Sequence, residues 1–63
     1  MFNIGDTKTV KCNAPASIYF KFNNEKVTII GISFVKKGSE DVPVYTFRHN
    51  EYGFGAMFEH GFI

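Results

Sequence analysis

One cysteine, a net charge near zero and no long apolar run set the first limits on this chain. A lone thiol, Cys12, forms no intramolecular disulfide, and no Cys-x-x-Cys or Cys/His pair has zinc spacing. Reducing, cytoplasmic surroundings are expected. Seven Lys and Arg stand against six Asp and Glu, a formal net charge of +1, so the field of the whole molecule does little to attract a polyanion. Any nucleic-acid site must be a local patch. No stretch approaches the roughly 20 apolar residues of a membrane span, and the opening MFNIGDTKTVK lacks the apolar run, about 7–15 residues, of a signal peptide. No membrane association is expected.

What the chain does have is aromatic side chains. Its 63 residues are 44% hydrophobic and 17% aromatic, with eight Phe and three Tyr. That length supports a single domain, residues 1–63, which buries only about 60% of the surface exposed by the unfolded chain. Each aromatic side chain buries about 150–250 Å², so a dense aromatic core takes the place of the disulfides on which many small domains rely.

The patterning has period two throughout, with no 3.6-residue stripe, and predicts an all-β fold. Five strands are expected. The first is Thr7–Cys12, after a turn at Gly5-Asp6. Beyond the loop NAPAS, the run SIYFKF is expected to turn Ile18, Phe20 and Phe22 inward and Tyr19 and Lys21 outward, before a turn at Asn23-Asn24. In VTIIGISFV the parity of the apolar positions changes midway, and a bulge near Gly31 would let Val27 and Ile29, then Ile32 and Phe34, all face the core while bending the strand. A polar loop KKGSED precedes a strand at Val44–His49, with Pro43 just ahead of it and Tyr45 and Phe47 on one side. After a turn at Asn50–Gly53 comes the last strand, GAMFE, with Phe58 inward. The expected core is Val10, Ile18, Phe20, Phe22, Val27, Ile29, Ile32, Phe34, Tyr45, Phe47 and Phe58.

Five short strands with a strongly bent middle one resemble the SH3-like barrels, a superfold that includes the KOW and Tudor modules and many small bacterial and phage proteins. The resemblance runs over nearly the whole chain, through Ile4-Gly5-Asp6, VTIIGISFV, YTF, YGFGAMF and the closing EHGFI, where Phe62 is expected to plug the barrel from a short turn. It implies a small five-stranded barrel and transfers no functional residues, because a superfold hosts many activities. The OB-fold, also five-stranded, is the rival, and its usual form needs more chain.

The closing YGFGAMFEHGFI invites comparison with the RNP1 pattern of RNA-binding sheets, in which a cation meets phosphate and spaced aromatics stack on bases. Gly53, Phe54 and Gly55 match it. Tyr52 stands where the cation belongs, Ala56 replaces a stacking ring, and Glu59 adds a negative charge. A hairpin in which Gly53 and Gly55 supply positive φ and Phe54 and Phe58 pack is the simpler expectation.

Catalytic groups are few. His49 and His60 are read as surface or loop residues and Cys12 as a small packed residue; neither a Cys/His nucleophile nor a His49/His60/Glu59 metal site has supporting spacing. No enzyme activity and no cofactor are expected. The leading reading is a protein-interaction module, an accessory or regulatory protein that binds a larger partner through Tyr19, Lys21, Arg48 and Tyr52. The alternative is a nucleic-acid-binding barrel of KOW or Tudor type, which requires Lys21, Lys36, Lys37 and Arg48 to converge on one face. The loop KKGSED, with Glu40 and Asp41 beside its lysines, argues for a solvated turn there. Homo-oligomerisation through an exposed strand edge is a third possibility.

Overall fold

A computed structural model describes residues 1–63. The chain forms one curled antiparallel sheet of four strands, β1 (Thr7–Thr9), β2 (Lys26–Lys37), β3 (Glu40–His49) and β4 (Gly53–Phe58), in the order β1-β2-β3-β4. Two short 3-10 turns complete it, at Phe20–Phe22 and Glu59–Gly61. No helix is long and apolar enough to cross a membrane.

The all-β expectation holds, but with four strands rather than five. The run SIYFKF is not a strand. Ser17 Oγ accepts the Tyr19 N–H at 3.1 Å, and a series of i to i−3 bonds follows, from Phe20 N to Ser17 O, Phe22 N to Tyr19 O and Asn23 N to Phe20 O. These local bonds satisfy the backbone without a neighbouring strand, so the segment winds instead of extending. Its parity changes as well. Phe22 is buried as expected, whereas Ile18 and Phe20 are 79% and 40% exposed and Tyr19 turns partly inward.

The bulge at Gly31 is present. The β2–β3 register runs Thr28↔Arg48, Ile29↔Phe47 and then Gly31↔Thr46, so one extra residue lies on β2. Ile29 and Ile32 thereby share the inner face with Phe47 and Tyr45, their opposite residues. Phe34 does not join the core. Its ladder partner is Pro43, beyond the last β3–β4 pair at Val44↔Phe58, and it is 56% exposed. Past that pair β2 and β3 continue as a bare hairpin, which gives the molecule an extent of 35 × 27 × 18 Å.

That hairpin also replaces the expected KKGSED loop. Lys36↔Asp41 and Lys37↔Glu40 are ladder pairs, and only Gly38-Ser39 turns, with Gly38 at φ 63°. Glycine at the first of two turn residues matches the twist of the flanking strands. Strand β3 consequently starts four residues earlier than expected and contains Pro43, which sits where β4 has already ended and no β3–β4 bond is lost.

The buried apolar residues are Val10, Phe22, Val27, Ile29, Tyr45, Phe47 and Phe62, with Ile32, Tyr19, Met57, Cys12 and Phe2 packed against them. Phe62 turns inward after the short turn at Glu59–Gly61. Its backbone bridges Val10, Lys11 N donates to Gly61 O at 2.8 Å, and Ile63 N donates to Thr9 O at 2.8 Å, so the segment after β4 pairs with the continuation of β1. Phe58, expected inward, is half-buried and lies on the outer face opposite Val44.

The two glycines of GFG have different physical roles. Gly53 has φ 87° and forms the β3–β4 turn, as expected, whereas Gly55 has no positive φ. It is required for space, because a Cβ there would lie 2.5 Å from Phe47 Cζ and 3.0 Å from Tyr19 Cε1. Gly55→Ala is therefore expected to destabilise the fold by about 1–3 kcal/mol, measured by urea unfolding. An unchanged midpoint would mean that the Phe47 ring has room to move.

Candidate interaction surface

Tyr19 and Tyr52 both pack against Phe22, with ring centroids 6.2 and 6.1 Å from it. Tyr19 also packs 6.4 Å from Phe47. The 3-10 segment and the β3–β4 turn thus meet over one buried ring. Lys21 stays exposed, its Nζ 5.3 Å from the face of Phe22. Tyr19, Lys21 and Tyr52, expected together as a partner surface, do share one rim. Arg48 does not join it. It lies on the outer face of the sheet with its ladder partners Thr28 and Phe54, opposite to the inward Phe47 and His49.

Exposed apolar side chains extend the rim. Ile18 and Phe20 project from the turn segment into solvent, and Tyr52 is also exposed. The sequence alternation had assigned Ile18 and Phe20 to the core and so hid them as surface candidates.

His49 is the largest departure among the polar residues. Expected at the surface, it is 8% exposed, on the inner side of β3. Its Nδ1 accepts the N–H groups of Glu51 at 3.0 Å and Tyr52 at 3.1 Å. That leaves Nε2 to carry the proton and donate to Glu25 Oε1 at 2.9 Å. Tyr52 stacks on the imidazole at 4.5 Å and 12°. The ring thus fixes both the turn and the orientation of Tyr52, a structural role that accounts for every polar atom. His60 is exposed as expected and stacks on Phe58 at 5.9 Å.

The four cations of the nucleic-acid reading are divided. Lys36 pairs with Asp41 at 3.3 Å and Lys37 lies 4.7 Å over the Phe58 ring, both at the β2–β3 hairpin. Arg48 is seven residues from Asp41 along β3, about 23 Å at roughly 3.3 Å per residue. Lys21 is on the turn segment. Cys12 is half-buried, with its Sγ 3.9 Å from Ala14 O and no histidine in bonding reach. No group of three or more His, Cys, Asp or Glu is placed to hold a metal ion.

A second polar network ties the far side of the core to the chain end. The buried Tyr45 hydroxyl donates to Glu59 Oε1 at 3.0 Å and accepts from Phe2 N at 3.2 Å. Burial is the main cause that pushes the Tyr45 phenol above its usual range, and the Glu59 carboxylate adds to it. A phenol whose pKa is higher folded than unfolded favours the folded state below the unfolded value near 10, and that contribution disappears as pH rises through the folded value. Stability is therefore expected to fall above about pH 10, and less steeply in Tyr45→Phe, as followed by urea unfolding at successive pH values. Equal slopes for the two proteins would remove Tyr45 as the cause.

No family model, curated protein or solved structure matches the chain, so any functional reading rests on the geometry of this rim and of the sheet beside it.

Proposed function

We propose that the protein is a non-enzymatic interaction module built on a small SH3-like barrel, and that it binds a larger protein through the rim formed by Ile18, Tyr19, Phe20, Lys21 and Tyr52. The barrel reading is supported by the pairing of Val10 with Phe62, which brings the segment after β4 back to the continuation of β1. The observation that carries the binding reading is the exposure of Ile18 and Phe20 on a turn segment whose neighbours Tyr19 and Phe22 are anchored in the core. Apolar side chains presented from a rigid base give a partner contact area at little ordering cost, and aromatic residues supply many of the strongest interface contacts. Lys21 adds a cation at the edge of the patch, where charge favours orientation and encounter. Lys36 and Lys37 at the β2–β3 hairpin and Arg48, about 23 Å away along β3, form no compact basic cluster, which favours a protein partner over the nucleic-acid alternative.

The test is capture by the tagged chain from a lysate of its source cells, with and without nuclease, against an Ile18→Glu, Phe20→Glu variant. Both sites are exposed, so the variant should stay within about 1 kcal/mol of the parent in stability. A nuclease-resistant protein partner, lost in the variant, is expected. Capture that disappears with nuclease, or that survives both substitutions, would overturn the assignment.

A further inference from the structure

The outer edge of β4 has an unmatched backbone. Strand β4 pairs with β3 alone, and no residue of Gly53–Phe58 makes a backbone hydrogen bond outside the sheet ladder. In an antiparallel pair, alternate residues turn their N–H and C=O groups toward the neighbour and the others turn them away. A row of β4 donors and acceptors therefore faces outward unpaired. At the opposite end of the sheet, by contrast, the segment after β4 occupies the edge beyond Thr9.

The β4 edge also lacks the features that usually block strand addition. The sequence GFGAMF has no charge and no proline, and its register with β3 is regular from Val44↔Phe58 to His49↔Gly53. A groove of about 370 Å³ is lined by Ala56, Met57 and Phe58 of β4 together with Lys11, Tyr19 and His60. Lys11 is the one Lys or Arg among its lining residues, and no carboxylate side chain lines it. The other groove, of about 510 Å³, mixes Lys8 with Glu59 and so offers no net preference for an anion.

We propose that β4 accepts an extended segment of another protein as an added antiparallel or parallel strand, with an acidic residue of that segment beside Lys11 and apolar residues in the groove over Met57. The proposal rests on the interaction-module reading and supplies the chemistry of the partner. Main-chain bonds provide affinity and alternate side chains provide selection in this mode of recognition. Because successive residues of an added strand point to opposite faces, one set enters the groove and the other lies along the outer face, beside Phe54, which is 66% exposed. A second copy of β4 would bring the same uncharged GFGAMF, and the acid that follows it, Glu59, lies in the 3-10 turn and is already bonded to the Tyr45 hydroxyl, so an acidic partner segment is the better complement.

The experiment selects a phage-displayed library of random 12-residue peptides against the full chain, then measures binding of the enriched sequences as synthetic peptides. Alternating apolar residues with at least one Asp or Glu are expected. Methylating alternate peptide nitrogens in one phase should abolish binding, and methylating the other phase should not. Lys11→Glu should weaken binding tenfold or more, and Lys11→Met less, with both variants as thermally stable as the parent. No enrichment, binding indifferent to both methylation phases, or binding unchanged by Lys11→Glu would overturn the proposal. So would a concentration-dependent mass in sedimentation that Ala56→Pro abolishes, since a second copy would then hold the edge. If lysate capture depends on Ile18 and Phe20 while the library gives nothing, the β4 proposal alone fails. If strand-type peptides bind but capture is unaffected at Ile18 and Phe20, the rim assignment fails and the edge remains.

Discussion

The ring of Phe47 is where the separate parts of this chain meet. It stands edge-on to Phe22 at 5.0 Å and to Phe62 at 5.8 Å, with Tyr19 at 6.4 Å. Across the ladder its partner is Gly55, whose missing side chain makes the space that the ring fills. One side chain of β3 thus touches the 3-10 segment, the end of the chain and β4. In a domain with so little interior, truncating such a ring to Ala removes about 3–5 kcal/mol, a large fraction of the 5–15 kcal/mol that stabilises a typical domain. The position of the rim follows, because Tyr19 and Phe22 are anchored on Phe47, and Ile18, Phe20 and Lys21 project from the same few residues.

How much of this was legible in the sequence depends on which question is asked of the alternation. The bend at Gly31 was legible, because the change of parity between Ile29 and Ile32 allows few other solutions. So was the turn at Asn24, which has φ 64°, and the inward placement of Phe62. Phe34 shows the limit. Alternation placed it correctly on the face shared with Ile32, but a face is buried only where something covers it, and β4 stops before reaching that part of the hairpin. Nothing in a local pattern encodes the length of the strand two positions away.

SIYFKF and His49 were misread for a different reason. Six residues with apolar positions at every second place satisfy a strand, but a short turn segment satisfies the same letters, and Ser17 decided between them by bonding to the Tyr19 N–H. The geometry around the candidate rim was therefore only half legible: Tyr19, Lys21 and Tyr52 do gather around Phe22, Arg48 lies on the outer face of the sheet, and the exposure of Ile18 and Phe20 ran against the alternation. His49 continued the inward series of Tyr45 and Phe47, and that period-two signal could have placed it inside. Chemistry argued the other way, since a buried imidazole needs partners, and those came from Glu25, 24 residues away, and from the turn N–H groups. Long-range polar satisfaction leaves no short-range trace.

The same constraint links the open edge to the exposed rings. A curled sheet of four strands is too small to cover all eight Phe: Phe22, Phe47 and Phe62 are buried, Phe2 and Phe58 are half-buried, and Phe20, Phe34 and Phe54 are exposed. The exposed three are not scattered at random in the topology. Phe54 lies on β4, which has no outer neighbour; Phe34 lies on the hairpin past the end of β4; and Phe20 lies on the segment that winds instead of pairing. Each marks a place where a further strand is absent and where the backbone or the apolar surface is left unmatched. A strand supplied from outside along β4 would meet unpaired backbone and partly cover Phe54 in a single event, so the interaction energy that this small core does not supply to folding is available to a partner instead.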